Sequence, residues 1–195
     1  MTQQPSPFQR MFNLANRITL ARIFIVPAIV ALLMFPGRIT CLAAVVLFAL
    51  ASATDVIDGH IARRSNMVTS FGKFLDPLAD KILIGSVMIM LVELGWIAGW
   101  IAIVIIAREL MVTGLRAVAA DEGLVIAADK FGKMKTVMQM LALVPLMLHY
   151  QWFGLDPNPA GQFMLYIALF LTVFSGFNYL YTFYGNWLKD GAGRA

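Results

Sequence analysis

Four aspartates lie close together in a chain that is otherwise strongly apolar: Asp55, Asp58, Asp76 and Asp80. Residues three or four positions apart share one face of a helix, so each pair would present both carboxylates on the same side. Two unit charges about 4 Å apart repel by about 4 kcal/mol at an effective dielectric of about 20, so four such groups must take up protons or bind cations. No His or Cys accompanies them at ligand spacing, which argues against zinc, whereas carboxylate oxygens suit Mg²⁺ or Mn²⁺. Two such ions can clamp a phosphoryl group during a displacement reaction, and this is the chemistry that the cluster predicts.

The elements that carry these aspartates are predicted to be membrane helices. The 195 residues are 60% hydrophobic and 13% charged, with a mean hydropathy of +0.78, which is more apolar than soluble domains are. About 20 apolar residues span a bilayer as a helix, and six segments qualify: roughly 16–35, 39–62, 71–93, 97–119, 131–150 and 161–185. We therefore expect an all-α integral membrane protein with one domain over 1–195. It would comprise an N-terminal cytoplasmic segment (1–15), a six-helix bundle (16–185) and a cytoplasmic tail (186–195).

The positive charges divide unevenly between the two ends of these predicted spans. The N-terminal side, the second and fourth connections and the tail hold Arg10, Arg17, Arg22, Arg63, Arg64, Lys73, Arg116, Lys130, Lys133, Lys135, Lys189 and Arg194. The other three connections hold Arg38 alone. The positive-inside rule then places both termini in the cytoplasm. Both aspartate pairs would lie about two turns inside the cytoplasmic ends of the second and third spans.

A purely structural interpretation of the aspartates is a network of buried ion pairs with the nearby arginines. Charges inside a membrane are costly and mark functional sites more often than structural ones, which favours the metal-binding interpretation. His60 and His149 are interpreted as polar residues at helix ends. The tryptophans near the span ends are typical of interfacial anchors and not of base-stacking platforms, and we expect no nucleic-acid partner: Trp96, Trp100, Trp152 and Trp187.

The spacing of this region matches a known signature. From Asp55 the sequence reads D-x₂-D-G-x₂-A-R-x₈-G-x₃-D-x₃-D. This resembles the complete signature of the CDP-alcohol phosphotransferases, whose eight fixed places are filled by Asp55, Asp58, Gly59, Ala62, Arg63, Gly72, Asp76 and Asp80.

The resemblance implies a bundle of six transmembrane helices, paired as a homodimer, in which an alcohol attacks the β-phosphorus of a CDP-linked lipid and displaces CMP. It implies that two divalent cations, Mg²⁺ or Mn²⁺, are held by Asp55, Asp58, Asp76 and Asp80. Asp80 would also take the proton from the acceptor hydroxyl. The CDP moiety would be bound by Asp58, Gly59, Ala62, Arg63 and Gly72.

Several cations outside the signature are candidates for binding the acceptor: Lys81, Arg108, Arg116, Lys133 and Lys135. Their acidic neighbours are few, namely Glu109, Asp121, Glu122 and Asp129, and three of those lie in a predicted loop. A cationic pocket facing the metal site favours an acceptor that carries its own phosphate. An alternative for Lys133 and Lys135 is contact with lipid headgroups at the interface.

Further segments resemble the bacterial phosphatidylglycerophosphate synthases within this family: "IARE" with a downstream "LR", "GKMKTVMQM", and "NRITLARIFIVP" with Thr19 and Arg22 near the nucleotide. This implies CDP-diacylglycerol and sn-glycerol 3-phosphate as substrates. The site would be a cytoplasm-facing cavity in a bacterial inner membrane, open laterally to membrane lipids and acyl chains. Other acceptors (inositol phosphate, serine or phosphatidylglycerol), a divalent-cation transporter and a catalytically silent scaffold are the alternatives.

Overall fold

The computed structural model describes residues 14–64, 70–121 and 130–193, and in this part the chain folds into six α-helices. They are α1 (Leu14–Met34), α2 (Arg38–Arg64), α3 (Ser70–Glu93), α4 (Gly99–Asp121), α5 (Lys130–Leu148) and α6 (Asn158–Gly193). Each coincides with one of the six predicted helical segments. The expectation of an all-helical fold is therefore confirmed.

Local sequence explains where the helices end. Gly95 adopts φ 71° in the turn after α3 and Gly154 adopts φ 79° in the connection before α6, a left-handed conformation that glycine accepts without a Cβ penalty. At the start of α6, the Asp156 carboxylate accepts a hydrogen bond of 2.9 Å from the backbone N–H of Asn158. The last helix continues to Gly193, so residues 186–193, which we expected in a tail, extend α6.

The core is built by two groups of helices. In one, α1 packs against α2 and α3; in the other, α5 packs against α6 and α2. α4 joins these groups because it contacts both α3 and α6. The centre of the core is formed by large side chains with less than 2% exposure, among them Leu33, Phe48, Leu83, Met88 and Leu146. Cys41 is buried as well, as expected for a small apolar side chain.

The outer surface of the bundle is rich in large apolar side chains. Phe24, Ile39, Ile103, Phe163 and Tyr181 are each at least 68% exposed. An exposed apolar surface of this extent is typical of a protein that contacts lipid or another protein.

Four of the described helices contain a long apolar segment. One helical segment in this part of the chain, Asn158–Gly185, is long and apolar enough to cross a membrane. Three further apolar segments are shorter: Thr19–Met34, Arg38–Thr54 and Met134–Leu148.

Ring stacking and hydrogen bonds join the α3–α4 connection to the α5–α6 connection and the start of α6. The His149 ring stacks on Trp96 with centroids 3.8 Å apart and hydrogen-bonds the Asn158 side chain at 2.9 Å. The Gln162 amide donates to the Trp96 carbonyl oxygen at 2.6 Å. The placement of His149 just after α5 agrees with its interpretation as a polar residue at a helix end; the His60 side chain lies outside the described residues.

Candidate active site

A cavity of about 60 Å³ lies between α3, α4 and α5. Its polar lining consists of Asp80, Lys81, Glu109, Thr136 and Gln139, and its apolar lining of Ile84, Gly85, Met88, Ile105, Ile106 and Leu110. Charged groups beside apolar walls interact more strongly with a ligand than they would in water, because the local dielectric is lower. The arrangement is therefore suited to binding a small charged molecule.

One carboxylate at this cavity is shared by two cations. Glu109 Oε1 accepts a hydrogen bond from Arg108 Nη1 at 3.1 Å and forms an ion pair with Lys135 Nζ. The side chains of Arg108, Glu109 and Lys135 are 10%, 22% and 5% exposed. The cluster thus has an excess of positive charge and is largely shielded from solvent. Glu109 was one of the few acidic neighbours expected for these cations, and here it serves both Arg108 and Lys135.

The other cations of the candidate site lie near this cluster. Lys135 is within electrostatic range of Asp80, Lys81 and Arg108, and Lys81 is within range of Arg116 as well. Lys81 Nζ also donates to the Pro77 carbonyl oxygen at 3.1 Å. Pro77 lies within α3, and Lys81 sits one turn further along that helix. The structure therefore places Lys81 and Lys135 within electrostatic range of Asp80, and Arg108 and Arg116 within range of Lys81.

Helix α6 holds both arginines of α4. Arg108 Nη2 donates to Ser175 Oγ at 2.9 Å, and the Arg116 guanidinium lies 5.5 Å from the centre of the Tyr179 ring. Consecutive residues on a helix point about 100° apart. Arg108 can therefore face α6 while Glu109, next to it in sequence, faces the cavity.

On the other side of α3, helix α1 buries two polar residues that the sequence assigns to the nucleotide. Thr19 and Arg22 are 3% and 2% exposed. Helix α1, which carries both residues, packs against α2 and α3. A buried guanidinium is a suitable phosphate ligand because it remains charged and presents a planar fork of donors.

The comparison with known proteins decides the family. The model of the CDP-alcohol phosphatidyltransferase family matches residues 12–174. The chain belongs to this family. A Bacillus subtilis CDP-diacylglycerol–glycerol-3-phosphate 3-phosphatidyltransferase is 46% identical over 189 residues, covering 91% of this chain and 96% of that protein. The Rickettsia typhi protein of the same name is 41% identical, covering 87% and 96%, and a probable phosphatidylglycerophosphate synthase of Mycobacterium tuberculosis is 40% identical, covering 88% and 81%. The family expected from the signature is confirmed.

Most residues of the family signature lie in described helices, but their own side chains are outside the described part of the structure. Asp55, Asp58, Gly59, Ala62 and Arg63 belong to α2, Gly72 and Asp76 to α3, and Lys133 to α5. At 1.5 Å per residue, Asp58 lies about 9 Å before the end of α2 and Asp76 about 9 Å after the start of α3. Both pairs therefore lie at similar distances along their helices from the connection between α2 and α3. The contact among the four carboxylates stays a prediction.

Sequence reasoning missed residues that contact the candidate site. Ser175 and Gly176 lie just beyond the region matched by the family model, and both lie against Arg108. A Ser–Gly pair inside an apolar helix is a recognisable signal, because small residues let a neighbouring helix approach closely. Gln139 was also missed: it is 2% exposed, and its Nε2 has no hydrogen-bond partner among the described residues.

Proposed function

We propose that this protein transfers the phosphatidyl group of CDP-diacylglycerol to sn-glycerol 3-phosphate and releases CMP. The names of the relatives from Bacillus subtilis and Rickettsia typhi support this choice of substrates. The observation that carries the proposal is that Glu109, which lines the same cavity as Asp80, is bonded to both Arg108 and Lys135. Serine carries no phosphate and no net charge, so it would leave the excess positive charge of this cluster uncompensated.

The acceptor phosphate binds between Arg108 and Lys135, with Lys81 and Arg116 adding to the positive field and Lys133 on the same helix as Lys135. Guanidinium and ammonium groups make charge-assisted hydrogen bonds to phosphate. Before the acceptor arrives, the single Glu109 carboxylate partly balances the two cations. The phosphate then completes the charge balance of the cluster.

The residues of the signature fit a pair of divalent cations, Mg²⁺ or Mn²⁺. The described member, Asp80, lines the cavity, and the other donors of the set, on α2 and α3, are carboxylates: Asp55, Asp58 and Asp76. An all-oxygen donor set is the one that these hard cations prefer. When bound, the ions neutralise the donor pyrophosphate and stabilise the charge that develops on departing CMP.

The chain itself supplies the proton acceptor and the orientation. The Asp80 carboxylate takes the proton of the acceptor hydroxyl, and the hydroxyl oxygen forms a bond to the β-phosphorus of the donor. The bond from that phosphorus to the CMP oxygen breaks, and CMP leaves with the electron pair. Holding the hydroxyl and the phosphorus in line is worth several orders of magnitude in rate, because two reactants are converted into one positioned pair.

The nucleotide end of the donor lies towards α1 and α2. Thr19 and Arg22 bind there from α1. The residues of the signature that complete this pocket are Asp58, Gly59, Ala62, Arg63 and Gly72. The small residues leave room for the flat cytosine ring and for close approach of the pyrophosphate to the backbone.

The acyl chains of the donor lie in an apolar groove between α3 and α4. This groove has a volume of about 460 Å³ and is lined by Ile89, Val92, Gly99, Ala102, Ile103, Ile106, Ala107 and Leu110. Ile106 and Leu110 also line the polar cavity, so headgroup and tail sites adjoin. The groove would serve as the lateral opening to the bilayer.

The six helices are six spans of a bacterial inner membrane, with both termini and the active site on the cytoplasmic side. The exposed apolar side chains and the uneven distribution of Lys and Arg support this orientation. The protein acts as a homodimer, for which the support is the family resemblance alone.

The test is an assay with purified protein, CDP-diacylglycerol and Mg²⁺, to which radiolabelled acceptors are added one at a time. We expect label from sn-glycerol 3-phosphate to enter the lipid fraction, with release of one CMP per phosphatidyl group transferred. Turnover of serine, inositol phosphate or phosphatidylglycerol without turnover of sn-glycerol 3-phosphate would refute the choice of acceptor. Absence of CMP release with every acceptor, together with uptake of Mn²⁺ into proteoliposomes, would support the cation-transporter alternative.

A further inference from the structure

Helix α6 supplies a hydroxyl that directs the guanidinium of Arg108. Ser175 is 2% exposed, and its Oγ accepts the hydrogen bond from Arg108 Nη2 at 2.9 Å. The same hydroxyl donates to the Thr172 carbonyl oxygen at 3.3 Å. Since its proton points along α6, a lone pair of Ser175 Oγ is left to face the guanidinium.

The next residue, Gly176, makes room for the stem of the same side chain. A Cβ at Gly176 would lie 3.1 Å from Arg108 Cγ and 3.3 Å from Arg108 Nε. Both distances are tighter than ordinary van der Waals contact, so a Cβ at Gly176 requires the Arg108 side chain to shift by a few tenths of an ångström. The aliphatic part of Arg108 therefore lies directly against the backbone of α6.

These contacts fix the plane of the guanidinium from two sides. Nη2 is held by Ser175, and Nη1 is held by Glu109 at 3.1 Å. A free arginine side chain loses rotamer entropy when it binds an anion. A guanidinium already held in one orientation loses less of it and presents its remaining donors in a fixed direction.

We propose that Ser175 and Gly176 are positioning residues for the acceptor: they hold Arg108 in the orientation in which it binds the acceptor phosphate. This inference rests on the proposed function, because it takes the phosphate of the incoming alcohol as the ligand of Arg108. The phosphate is bound equally in the ground state and in the transition state. Disturbing the contacts of Arg108 with Ser175 and Gly176 should thus raise KM for the acceptor and leave kcat nearly unchanged.

The experiment compares substitutions at two glycines of the same helix. Gly176→Ala and Gly176→Val introduce a side chain against Arg108, whereas Gly185→Ala and Gly185→Val introduce the same side chains where nothing lies within 4 Å. Because a displacement of about 1 Å can cost on the order of 100-fold, we expect KM for sn-glycerol 3-phosphate to rise roughly 3- to 10-fold in Gly176→Ala and further in Gly176→Val. The Gly185 variants should match wild type within about twofold. KM for CDP-diacylglycerol should stay unchanged in all four.

Ser175→Ala provides a second test that adds no volume. Loss of the hydrogen bond to the charged guanidinium should raise KM for the acceptor about tenfold. If Gly176→Val yields no folded protein, the KM values of Gly176→Ala and Ser175→Ala for the acceptor test the inference. Equal acceptor KM values for the Gly176 and Gly185 variants and for Ser175→Ala would overturn the inference, as would a fall in kcat with KM unchanged. A wild-type protein that releases no CMP on addition of sn-glycerol 3-phosphate would refute the proposed function itself, and the inference with it.

Discussion

Removing the charge of Glu109 should destabilise the protein in a way that the acceptor can reverse. In the Glu109→Gln variant, Arg108 and Lys135 lose the one carboxylate that they share. The amide oxygen of glutamine can still accept a hydrogen bond, but the two largely buried cations lose the negative charge that they share.

The size of the effect follows from burial. Removing one partner of a fully buried ion pair costs about 3–5 kcal/mol. The Glu109 side chain is 22% exposed, and glutamine retains one acceptor, so we expect a loss of about 1–3 kcal/mol in the free energy of unfolding. For a chain of this length, each kcal/mol lowers Tm by about 2–4 °C. The expected decrease in Tm is therefore roughly 2–12 °C.

The assay is thermal unfolding in detergent micelles, followed by tryptophan fluorescence, with and without sn-glycerol 3-phosphate. A phosphate bound between Arg108 and Lys135 replaces the missing negative charge. Ligands that bind only the folded state raise Tm, and the increase should be larger for Glu109→Gln than for wild type. Glu93→Gln is the matched control, because Glu93 is an exposed carboxylate at the last residue of α3. A Glu109→Gln variant as stable as wild type, or one whose loss of stability is not reduced by sn-glycerol 3-phosphate, would refute the reasoning.

Further predictions concern the proton acceptor, the metal ligands and helix packing. Asp80→Asn should abolish CMP release while Tm stays within a few degrees of wild type; substantial residual activity would argue against Asp80 as the base. Removal of divalent ions with EDTA should abolish CMP release, and Mg²⁺ or Mn²⁺ should restore it in wild type but not in Asp55→Ala; restoration in that variant would exclude Asp55 as a required ligand. Gly161→Ala should lower the free energy of unfolding by about 1–3 kcal/mol, because its Cβ would lie 2.7 Å from Leu146 Cγ and 3.1 Å from the Leu146 backbone nitrogen. Gly114→Ala, where nothing lies within 4 Å, should be neutral or slightly stabilising on thermal unfolding, owing to the higher helix propensity of alanine.

The helices could be predicted from the sequence because their signals are local. Apolar runs interrupted by Pro36-Gly37, by Gly95 and by the segment around Gly154 mark helix ends directly, and the observed bounds follow them. The end of α6 was harder to predict. No proline or glycine interrupts the chain between Gly185 and Gly191, and the helix continues through those residues.

The candidate site could be predicted only in part, because tertiary contacts decide which charges meet. The sequence places Arg108 and Glu109 on one predicted helix and Lys135 on the next. It does not show that Glu109 bonds to both cations. The contribution of Ser175 likewise depends on how α6 packs against α4, across 67 residues of sequence. Periodicity along one helix carries no information about such contacts between helices.

The most direct test of the account is an experimental structure of the protein bound to sn-glycerol 3-phosphate and Mn²⁺. We predict that the phosphate lies within hydrogen-bond distance of Arg108 and Lys135, with the reacting hydroxyl at Asp80. We also predict Mn²⁺ between Asp80 and the aspartates of α2. A phosphate bound away from Arg108 and Lys135, or Mn²⁺ bound without Asp80, would contradict the central claim that these groups form one phosphatidyl-transfer site.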